Sequence, residues 1–538
     1  MKSNLFQKIL LVFLIFNIAL IVNCLFYYPL NISKESEPFR TTLKISQTNP
    51  QTSWENNGTA VCTIGDWQNF PQLCSDGEGG VVIAWHDLRT GDNIDIYAQR
   101  IDIDGNLLWD ANGTVICNET HNQAEVQICS DGFGGAIVVW MDERDPASDI
   151  YAQRIDANGN VMWDANGTAI CTENNIQNVM RMSSDGEGGA IITWRDQRSG
   201  NEDVYAQRID ANGNTLWTDN GTAICTLDGY QGNSVICTDG FGGAILAWED
   251  WRNSGFGPDI YAQRIAPNGT HLWGANGTGV CTFITNDQGG LEICSDGLGG
   301  AIIAWVDFRN IVTTGTNIYA ERIDSNGNSK WNVNGKAICT LSPDQYSPVV
   351  CSNNKGGAII SWSDGRGGMS TGYDLYAQKL NSTGDILWAP NGLDVCRAVD
   401  NQWVSGIIDD GEEGAVILWG DEREGAMNRH IYAQRLTSEG NSLWQANGSV
   451  ICNAEGRQDS ASLINDGKGG CIIAWNDGRS DSGDIYAQRI IISSTSQNPV
   501  PTIPFGNWHL LFIGISLFAI IFVINKRKIS KNTLSSKF

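Results

Sequence analysis

Positively charged side chains are scarce in this sequence, which has 35 Lys and Arg residues against 60 Asp and Glu residues and a formal net charge of −25. Binding to nucleic acid needs clustered Lys and Arg that neutralise phosphates, so this composition excludes a nucleic-acid partner. Charged residues of both signs make up only 18% of the chain, too few for a disordered polyampholyte or a heptad-rich rod. The chain is therefore expected to fold around a hydrophobic core.

Histidine is also rare, with five residues in the whole chain. They form neither a His-Glu-x-x-His motif nor a cluster with metal-ligand spacing, so the sequence predicts no metal site. Glycine is abundant instead, at 61 residues, and tryptophan reaches 20 residues. Runs of β-branched and aromatic residues alternate with Gly-, Asn- and Asp-rich breaks, which predicts many short strands joined by tight turns.

Long apolar runs are confined to the two ends of the chain. Residues 9–30 are apolar and follow Lys2 and Lys8, a pattern typical of a signal peptide or of an uncleaved signal anchor over residues 1–33. A second apolar run covers residues 505–524, long enough for a transmembrane helix, and three basic residues follow it directly. A buried core helix is the alternative for either run.

The charges at these ends predict where the chain sits. Basic residues precede the first apolar run and follow the second, so we expect both tails in the cytoplasm and everything between them outside the cell. The predicted protein is anchored in the cell membrane by one or two helices. Its other segments are a linker at 34–50, the main domain at 51–492, a Pro- and Ser-containing linker at 493–504 and a basic cytoplasmic tail at 525–538.

The main domain consists of one sequence unit that is repeated eight times, and such repeats are considered before any other sequence signal when a fold is predicted. The string Ile-Tyr-Ala-Gln-Arg, first seen at 96–100, recurs with its tyrosines 54 to 58 residues apart. Trp-x-Asp-x-Arg recurs eight times from Trp85 onward, and Trp-x-x-Asn-Gly eight times from Trp54 onward. A glutamine stands at the same place in all copies: Gln68, Gln123, Gln177, Gln231, Gln288, Gln345, Gln402 and Gln458.

Each repeat predicts four antiparallel strands. The first begins at the glutamine and ends at a glycine-rich turn such as 75–80, where glycine supplies the positive φ angle of a tight hairpin. The second is the apolar run that ends in Trp-x-Asp-x-Arg, the third contains Ile-Tyr-Ala-Gln-Arg, and the fourth carries the Leu-Trp pair that follows. Such a unit cannot bury both of its faces alone and must stack on its neighbours, as a propeller blade does.

The two ends of the domain predict that the blades close into a ring. The first Trp-x-x-Asn-Gly element, at Trp54, precedes the first complete blade, whereas the last repeat stops after Ile490 without one. The N-terminal strand would therefore complete the last blade, which protects the blade edges and joins the ends of the domain. We expect an all-β fold, an eight-bladed β-propeller of four-stranded antiparallel blades closed by its N-terminal strand.

The motif series Asp-Gly-x-Gly-Gly, Trp-x-Asp-x-Arg, Asp-Ile-Tyr-Ala-Gln-Arg and Asn-Gly-Asn-x-Leu-Trp resembles a repeat of large extracellular prokaryotic β-propeller proteins. It is also loosely similar to quinoprotein propellers, in which an Ala, a turn Gly and a docking Trp join neighbouring blades. Both resemblances imply blade architecture. The counterparts here would be Ala98, Gly105 and Trp109 and, in the next repeat, Ala152, Gly159 and Trp163.

Residues that recur in all eight repeats are expected to serve structure, because a ring seldom binds eight copies of one ligand. The Asp-x-Arg pairs, such as Asp87 with Arg89, are predicted to hydrogen-bond turn backbone or the adjoining blade. Binding of calcium or of carboxylate groups by these pairs is the alternative. The sequence predicts no cofactor, and calcium is the one that is left open. The repeated glutamines are expected to line the mouth of the central channel or to form a hydrogen-bonded ring that fixes strand register.

Fifteen cysteines in a chain predicted to be exported indicate disulfide bonds. Eight of them follow the Asn-Gly turn, and five of those have a second cysteine 12 or 13 residues later. Buried free thiols are the alternative to local bridges in these five pairs. The predicted bridges join Cys62 with Cys74, Cys117 with Cys129, Cys225 with Cys237, Cys281 with Cys294, and Cys339 with Cys351. Ten Asn-x-Ser/Thr sequons indicate glycosylation only weakly, because turn chemistry alone favours Asn-Gly.

Specific function is expected where the eightfold pattern breaks. The loops that enter the first strand of each blade vary, and the loops after Trp-x-Asp-x-Arg lengthen in the fourth to seventh repeats. Connected as in other propellers, both sets share one face, and aromatic, acidic and amide groups there suit a carbohydrate, peptide or protein ligand. Ordinary surface variation is the alternative. The candidate ligand-binding residues are Asp66, Trp67, His121, Tyr230, Tyr346, Trp403 and Arg457.

An enzyme is the second hypothesis, either a quinoprotein-like oxidoreductase or a glycan-active hydrolase. A quinoprotein typically needs adjacent cysteines over its cofactor, and this chain has no adjacent pair. The glycine-rich turns also lack the spacing of sialidase Asp-boxes. The sequence therefore favours a noncatalytic cell-surface module for binding or adhesion, and it predicts no catalytic residue. A structural coat component is the third hypothesis.

Overall fold

The computed structural model describes residues 49–492, apart from residues 146, 254–256, 284–285, 371 and 481–482. They belong to the second of the two compact units into which the chain divides, residues 47–538. The predicted signal segment, transmembrane helix and cytoplasmic tail lie outside the described residues, as do the two linkers except for residues 49–50. Within the described part, no helix has the length and apolar character needed to cross a membrane.

The described residues form eight antiparallel sheets, each built from the strands of one repeat. Two short strands come first, β1 (Gln51–Thr52) and β2 (Thr59–Cys62). Blade one contains β3 (Gln68–Ser75), β4 (Val81–Asp87), β5 (Asp95–Ile101) and β6 (Thr114–Cys117). Blade two contains β7 (Gln123–Ser130), β8 (Ala136–Asp142), β9 (Asp149–Ile155) and β10 (Thr168–Cys171). Blade three contains β11 (Gln177–Ser184), β12 (Ala190–Asp196), β13 (Asp203–Ile209) and β14 (Thr222–Cys225).

The remaining blades repeat this order. Blade four contains β15 (Gln231–Thr238), β16 (Ala244–Asp250), β17 (Asp259–Ile265) and β18 (Thr278–Cys281). Blade five contains β19 (Gln288–Ser295), β20 (Ala301–Asp307), β21 (Asn317–Ile323) and β22 (Lys336–Cys339). Blade six contains β23 (Gln345–Ser352), β24 (Ala358–Asp364), a 3-10 helix (Gly365–Ser370), β25 (Asp374–Leu380) and β26 (Leu393–Cys396). Blade seven contains β27 (Gln402–Asp409), β28 (Ala415–Asp421), a 3-10 helix (Ala426–Asn428), β29 (His430–Leu436) and β30 (Ser449–Cys452).

The N-terminal strands complete blade eight, which confirms the predicted closure. Blade eight contains β31 (Gln458–Asn465), β32 (Gly470–Asp477) and β33 (Asp484–Ile491), and both β1 and β2 pair with β33. Ala60 of β2 lies opposite Tyr486, and the Trp54 N–H donates to Gln488 Oε1 at 3.2 Å. The first strand of each blade contacts the first strand of the next, and β31 contacts β3. The first strands therefore form a closed inner circle.

The hydrophobic core lies between the blades. The second strand of each blade, such as β8, is covered on both faces and reads as a continuous apolar run. One cluster joins Val82 and Ile116 of blade one to Val138 and Trp140 of blade two, and equivalent clusters follow around the ring. The tryptophans that begin Trp-x-Asp-x-Arg are fully buried in all eight blades: Trp85, Trp140, Trp194, Trp248, Trp305, Trp362, Trp419 and Trp475.

A buried aspartate ties the strands of each blade together. In blade one the Asp87 carboxylate accepts hydrogen bonds from the Trp85 indole at 2.8 Å and from Arg89 Nε and Nη2 at 2.8 and 2.6 Å. Arg89 Nη2 also donates to the Asn112 carbonyl of the outer turn at 2.8 Å, and the guanidinium lies 3.6 Å from the centre of the Tyr97 ring. The Asp–Arg ion pair recurs in all eight blades, so its role in the ring is structural.

The fourth strand forms further along the chain than the sequence predicts. The Leu-Trp pair was expected on this strand, but in blade one it lies outside the named strands: an isolated bridge joins Ile101 to the preceding Leu107, and the Leu108 N–H donates to the Arg100 carbonyl at 2.8 Å. The fourth strand, β6, comes after the Asn-Gly turn and ends at Cys117. The tryptophan of the pair contacts the next blade instead: the Trp109 indole N–H donates to the Ala157 carbonyl of blade two at 3.1 Å.

The docking of Trp109 requires a glycine on the neighbouring blade. A Cβ atom added to Gly159 would lie 2.9 Å from Trp109 Cδ1, and Gly159 has a φ angle of +85°. Both the close approach and the left-handed backbone favour glycine. Trp54 meets Gly105 in the same way across the closure of the ring, at 2.8 Å. A tryptophan that docks between blades is thus present, and its glycine partner belongs to the next blade.

The predicted disulfide bonds were wrong, since all fourteen cysteines in the described part of the chain are free thiols. Cys117 ends its outer strand where the next inner strand begins, and its Sγ lies 3.9 Å from Asp142 Oδ2, opposite Gln123. Cys129 lies six residues along that inner strand, which at 3.3 Å per residue is about 20 Å away. A disulfide needs far closer Cα atoms. The same correction applies to Cys62 with Cys74, Cys225 with Cys237, Cys281 with Cys294, and Cys339 with Cys351.

We predict that Gly159→Ala destabilises the protein more than Gly91→Ala. Gly91 also has a positive φ angle, +78°, but no atom lies within 4 Å of its added Cβ. Both variants carry the left-handed strain of about 1–2 kcal/mol, and only Gly159→Ala adds an overpacking cost of about 1–3 kcal/mol against Trp109. Denaturant unfolding of the two variants measures the difference. Equal destabilisation would show that the tryptophan does not dock on this glycine.

We also predict that the cysteines of the ring remain reduced. Burial raises the pKa of the Cys117 thiol to about 12, so the reactive thiolate is absent at neutral pH. Mass spectrometry of the alkylated protein, with and without prior reduction in denaturant, is expected to give equal thiol counts. Two fewer thiols in the unreduced sample, mapped to any of the five pairs, would restore the disulfide prediction.

Candidate functional site

The loops that enter the first strands and the loops that follow Trp-x-Asp-x-Arg lie on one side of the ring, here called the loop face. Backbone hydrogen bonds join the two sets of loops. The Leu88 N–H donates to the Trp67 carbonyl at 2.9 Å, and the Trp251 N–H donates to the Tyr230 carbonyl at 2.8 Å. Both loops differ between repeats, so the loop face is where the eightfold pattern breaks.

The eight recurring glutamines lie just beneath the loop face. All are fully buried at the start of the first strands, so they do not line the open channel. Their amide nitrogens donate to carbonyls of the entering loop in blades two to eight; Gln123 Nε2, for example, donates to the His121 carbonyl at 2.9 Å. The glutamines are Gln68, Gln123, Gln177, Gln231, Gln288, Gln345, Gln402 and Gln458.

The seven candidate ligand-binding residues do not form one site. Asp66 and His121 occupy the same turn position, two residues before the glutamine, with φ angles of +75° and +70°. Asn175 and Asp400 hold this position in other blades with φ angles of +69° and +60°. Asn, Asp and His tolerate the left-handed region better than most residues. The identity of Asp66 and His121 is therefore explained by the turn.

His121 also borders an open cleft of about 550 Å³ on blade two. Glu143, Arg144 and Asp145 line the same cleft. Arg144 is already committed to the buried ion pair of its blade, at 2.7 Å from Asp142. The cleft is thus acidic and has few free donors.

Trp67 and Tyr230 belong to separate aromatic pairs on different blades. The ring centres of Trp67 and Phe70 lie 6.2 Å apart, and Phe70 meets the ring of His86 at 5.4 Å. Tyr230 meets Trp251 at 6.3 Å in blade four. Neither group includes another of the candidate residues.

Tyr346 and Trp403 are brought together by Tyr373, a residue that the sequence analysis did not select. The ring centres of Tyr373 and Trp403 lie 4.9 Å apart, and those of Tyr373 and Tyr346 lie 6.0 Å apart. The backbone of Tyr373 is held by two hydrogen bonds, from the Gln402 N–H at 2.7 Å and to Asn401 Oδ1 at 3.2 Å. The three partly exposed rings form the aromatic cluster of blades six and seven.

A charged network of four residues adjoins the aromatic cluster. Glu422, which is 5% exposed, accepts from Arg429 Nη2 at 2.5 Å and from Asn401 Nδ2 at 3.0 Å. Arg429 Nη1 donates to Asp459 Oδ1 at 2.9 Å, and Asp459 also pairs with the candidate residue Arg457. The charged network, Glu422, Arg429, Asp459 and Arg457, therefore connects blades seven and eight beside the aromatic rings.

The charged network fits because residue 420 is a glycine, which leaves space for the Arg429 side chain. A Cβ atom on Gly420 would lie 2.7 Å from Arg429 Cδ. Gly420 stands between Trp and Asp of its Trp-x-Asp-x-Arg motif, and no other repeat has glycine there. The residues at this position in the other repeats are His86, Met141, Arg195, Glu249, Val306, Ser363 and Asn476.

Glu422 is held in its charged form. Burial alone would raise the pKa of Glu422, but hydrogen bonds from Arg429 and Asn401 and the indole of Trp403 outweigh it, and the pKa is lowered. The carboxylate is therefore an acceptor at neutral pH and contributes a fixed negative charge to the site. The contribution of Trp403 links the charged network to the aromatic cluster.

His430 adds an imidazole at the edge of the charged network. Six other repeats have Asp at this position and one has Asn. His430 Nδ1 lies 2.8 Å from Gln458 Oε1, and its Nε2 lies 3.3 Å from Glu424 Oε2. The Glu424 side chain is 57% exposed, so this His–Glu pair opens onto the loop face.

On β19, desolvation raises the pKa of Glu292, and Arg181 opposes the shift. Across the described ranges, no group of three or more His, Cys, Asp or Glu side chains is placed to hold a metal ion.

The candidate residues predicted from the sequence do not include Tyr373, Glu422, Arg429 and Gly420. Tyr373 and Arg429 lie in two of the loops that are longer than in other repeats, so the loop lengths were a usable signal. Gly420 could have been found as a departure from the other repeats within Trp-x-Asp-x-Arg, whereas Glu422 could not, because blade two has Glu143 at the same position. An alignment of the repeats does not show that the loops that carry Tyr373 and Arg429 lie near each other in the folded protein.

No protein-family model matches the chain, and no curated protein matches it. Similar solved structures include an ulvan lyase, with 9% identity and a TM-score of 0.39 over 82% of this chain and 94% of the lyase. A puromycin-hydrolyzing peptidase from Mycobacterium tuberculosis has 11% identity and a TM-score of 0.37 over 80% of this chain and 62% of the peptidase. An α-L-arabinanase from Penicillium chrysogenum has 13% identity and a TM-score of 0.32 over 59% of this chain and 93% of the arabinanase. At this level of similarity, function has to be argued from the residues of this chain.

Proposed function

We propose that the protein is an extracellular propeller that binds a carbohydrate chain on its loop face. The observation that carries the proposal is the juxtaposition of the aromatic cluster with the charged network. Sugar rings present apolar C–H faces that pack on aromatic rings, and their hydroxyl groups need hydrogen-bond partners at the same place. Blades six to eight supply both.

The aromatic cluster offers a surface that is already ordered. Tyr373 is fixed by its backbone bonds to Gln402 and Asn401, and Asn401 in turn holds Glu422. Ordering these rings before binding removes an entropy cost that a mobile loop would bear. The polar groups at the edge of the cluster, Arg457 and Glu424, are paired with Asp459 and His430, but their side chains remain 39% and 57% exposed, so that hydroxyl groups can reach them.

The second candidate function is cleavage of a glycan at the same site. This function is favoured by the presence of Glu422, Asp459 and the His430–Glu424 pair within one cluster, because glycan-active enzymes use paired carboxyl groups. The lowered pKa of Glu422 makes it unsuited to donate a proton at neutral pH but suited to act as a base or nucleophile. Binding and cleavage thus share one location and differ in what happens to the bound chain.

We predict that Trp403→Ala and Tyr373→Ala each weaken glycan binding by about tenfold or more, since loss of a central aromatic contact costs about 1.4 kcal/mol or more. The full chain is screened against a panel of plant, algal and bacterial glycans, and the affinity for each hit is measured by calorimetry. Trp251→Ala is the matched control, because Trp251 also lies in an aromatic pair on the loop face, in blade four.

The proposal fails if no glycan binds, or if Trp251→Ala lowers affinity while Trp403→Ala does not. Chromatography of the glycan after incubation separates the two candidate functions. Intact glycan indicates a binding module. Shortened products that disappear in Glu422→Gln, with binding retained, indicate an enzyme.

A further inference from the structure

One buried polar contact repeats at every interface between blades. The backbone N–H of each recurring glutamine donates to a carbonyl of the preceding blade, at 2.7 to 3.1 Å in all eight interfaces. That carbonyl belongs to the residue just before the first position of the third strand. The glutamine side chain contacts the side chain at that first position where the latter is Asn317 or His430, and the equivalent backbone bond implies the same juxtaposition at the other six interfaces.

The two side chains are mismatched at six of these interfaces. There the first position of the third strand is an aspartate, and the facing glutamine Oε1 is buried with no hydrogen-bond donor among the described residues; these are Gln68, Gln123, Gln177, Gln231, Gln288 and Gln402. The other two glutamines face Asn317 and His430. Their Oε1 atoms accept from Asn317 Nδ2 at 3.5 Å and lie 2.8 Å from His430 Nδ1.

Among the described residues, the six interfaces with aspartate lack a hydrogen-bond donor for the glutamine Oε1. A charged carboxylate only accepts hydrogen bonds, so it leaves a facing carbonyl oxygen unsatisfied. In blades two to eight, rotating the glutamine amide does not help, because its nitrogen already donates to a loop carbonyl, as Gln123 does to His121. Gln68 differs, because its Nε2 has no hydrogen-bond partner among the described residues and its amide can rotate. A buried acceptor without a donor costs about 1–3 kcal/mol. Asn and His, the residues that replace Asp, both bring an N–H.

We propose that the aspartates at these interfaces are protonated carboxylic acids that donate to the facing glutamine Oε1, so that the ring takes up protons as it closes. The proposal covers four residues: Asp95, Asp149, Asp203 and Asp259. Asp484 is left out because the facing Gln68 has an Nε2 atom without a partner among the described residues, which can donate to a carboxylate after rotation of the amide. Asp374 is left out because Arg397 lies 3.7 Å from it.

The surroundings of Asp95 support this assignment. Asp95 is 1% exposed, and its Oδ1 has no hydrogen-bond partner in the described structure. Burial raises the pKa of Asp95 to about 6; Asp87 raises it further, and Thr90, Arg89 and Asn93 oppose the shift. Tyr97 is the other titratable group near it on its own strand. Across the interface, the neutral Gln123 is held next to Asp95 by the bond from its backbone N–H to the Ile94 carbonyl at 2.7 Å. Burial likewise raises the pKa of Asp149 to about 6 and the pKa of Asp203 and Asp259 above the ordinary value.

A bound cation is a poorer match to the same observations. A cation between two oxygen ligands would be lost wherever a donor replaces the aspartate, yet Asn317 and His430 fill the place without another change of architecture. The proton requires no further ligands.

The sign of the pH dependence follows from the raised pKa. An unfolded aspartate has a pKa of about 4, so below that pH the carboxyl is protonated in both states and the contact contributes in full. Its contribution is lost as the pH rises through the folded pKa. For a shift from about 4 to about 6, the unfolding equilibrium constant rises about 100-fold per site across that interval.

Two reciprocal variants of the full chain test the proposal. Asp95→Asn gives blade one the donor that Asn317 supplies in blade five, and Asn317→Asp creates the aspartate interface there. At pH 8, Asp95→Asn is expected to raise the unfolding midpoint and Asn317→Asp to lower it, with an effect of up to about 100-fold in the unfolding equilibrium constant. At pH 4 both differences from wild type are expected to vanish.

A spectroscopic measurement checks the proton itself. The infrared difference spectrum of wild type minus Asp95→Asn at pH 5 is expected to show the carbonyl stretch of a protonated carboxylic acid. A carboxylate band at pH 5, or a stability change that is the same at pH 4 and pH 8, would overturn the proposal. It would also be overturned if calcium raised the unfolding midpoint of wild type at pH 8 and Asp95→Asn abolished that effect, because the interface would then bind a cation.

Discussion

The buried aspartate of Trp-x-Asp-x-Arg is the constraint on which the rest of the molecule depends. In each blade this aspartate accepts hydrogen bonds from the indole of a core tryptophan and from the guanidinium of an arginine. That arginine also donates to a carbonyl of the turn that precedes the outer strand. Removing one partner would leave a buried charge without compensation, which costs about 3–5 kcal/mol. The cluster recurs eight times, so the blades have nearly the same shape, and units of similar shape can close into a ring.

A scaffold of this kind confines its specific chemistry to departures from the repeat. In blade seven, the absence of a side chain at Gly420 leaves space for the ion pair between Glu422 and Arg429. The ring of Tyr373 lies between those of Tyr346 and Trp403. None of these residues alters the buried clusters beneath them. The site could therefore diverge without loss of the ring, which explains how a symmetric frame carries one asymmetric surface.

The fold was predictable because its causes are local and repeated. Spacing, turn glycines and the missing outer strand of the last repeat were enough to predict eight closed blades, and β2 indeed pairs with β33. The predictions that failed concerned contacts between repeats. Cys117 and Cys129 are close in sequence but lie at opposite ends of neighbouring blades, and the Leu-Trp pair left the fourth strand because Trp109 docks on the next blade. The candidate residues were also scattered, since loop sequences do not show which loops meet.

Closure of the ring by the N-terminal strand is the central claim, and one engineered cross-link tests it most directly. Gln51 of β1 lies opposite Ile491 of β33, so the double variant Gln51→Cys with Ile491→Cys places two thiols within reach of a disulfide in the folded chain. Under mild oxidation the account predicts an intramolecular bridge between residues 51 and 491 in nearly all molecules, identified by peptide mass spectrometry. Two free thiols, or bridges only between different chains, would show that the ends of the domain do not meet and that the ring is open.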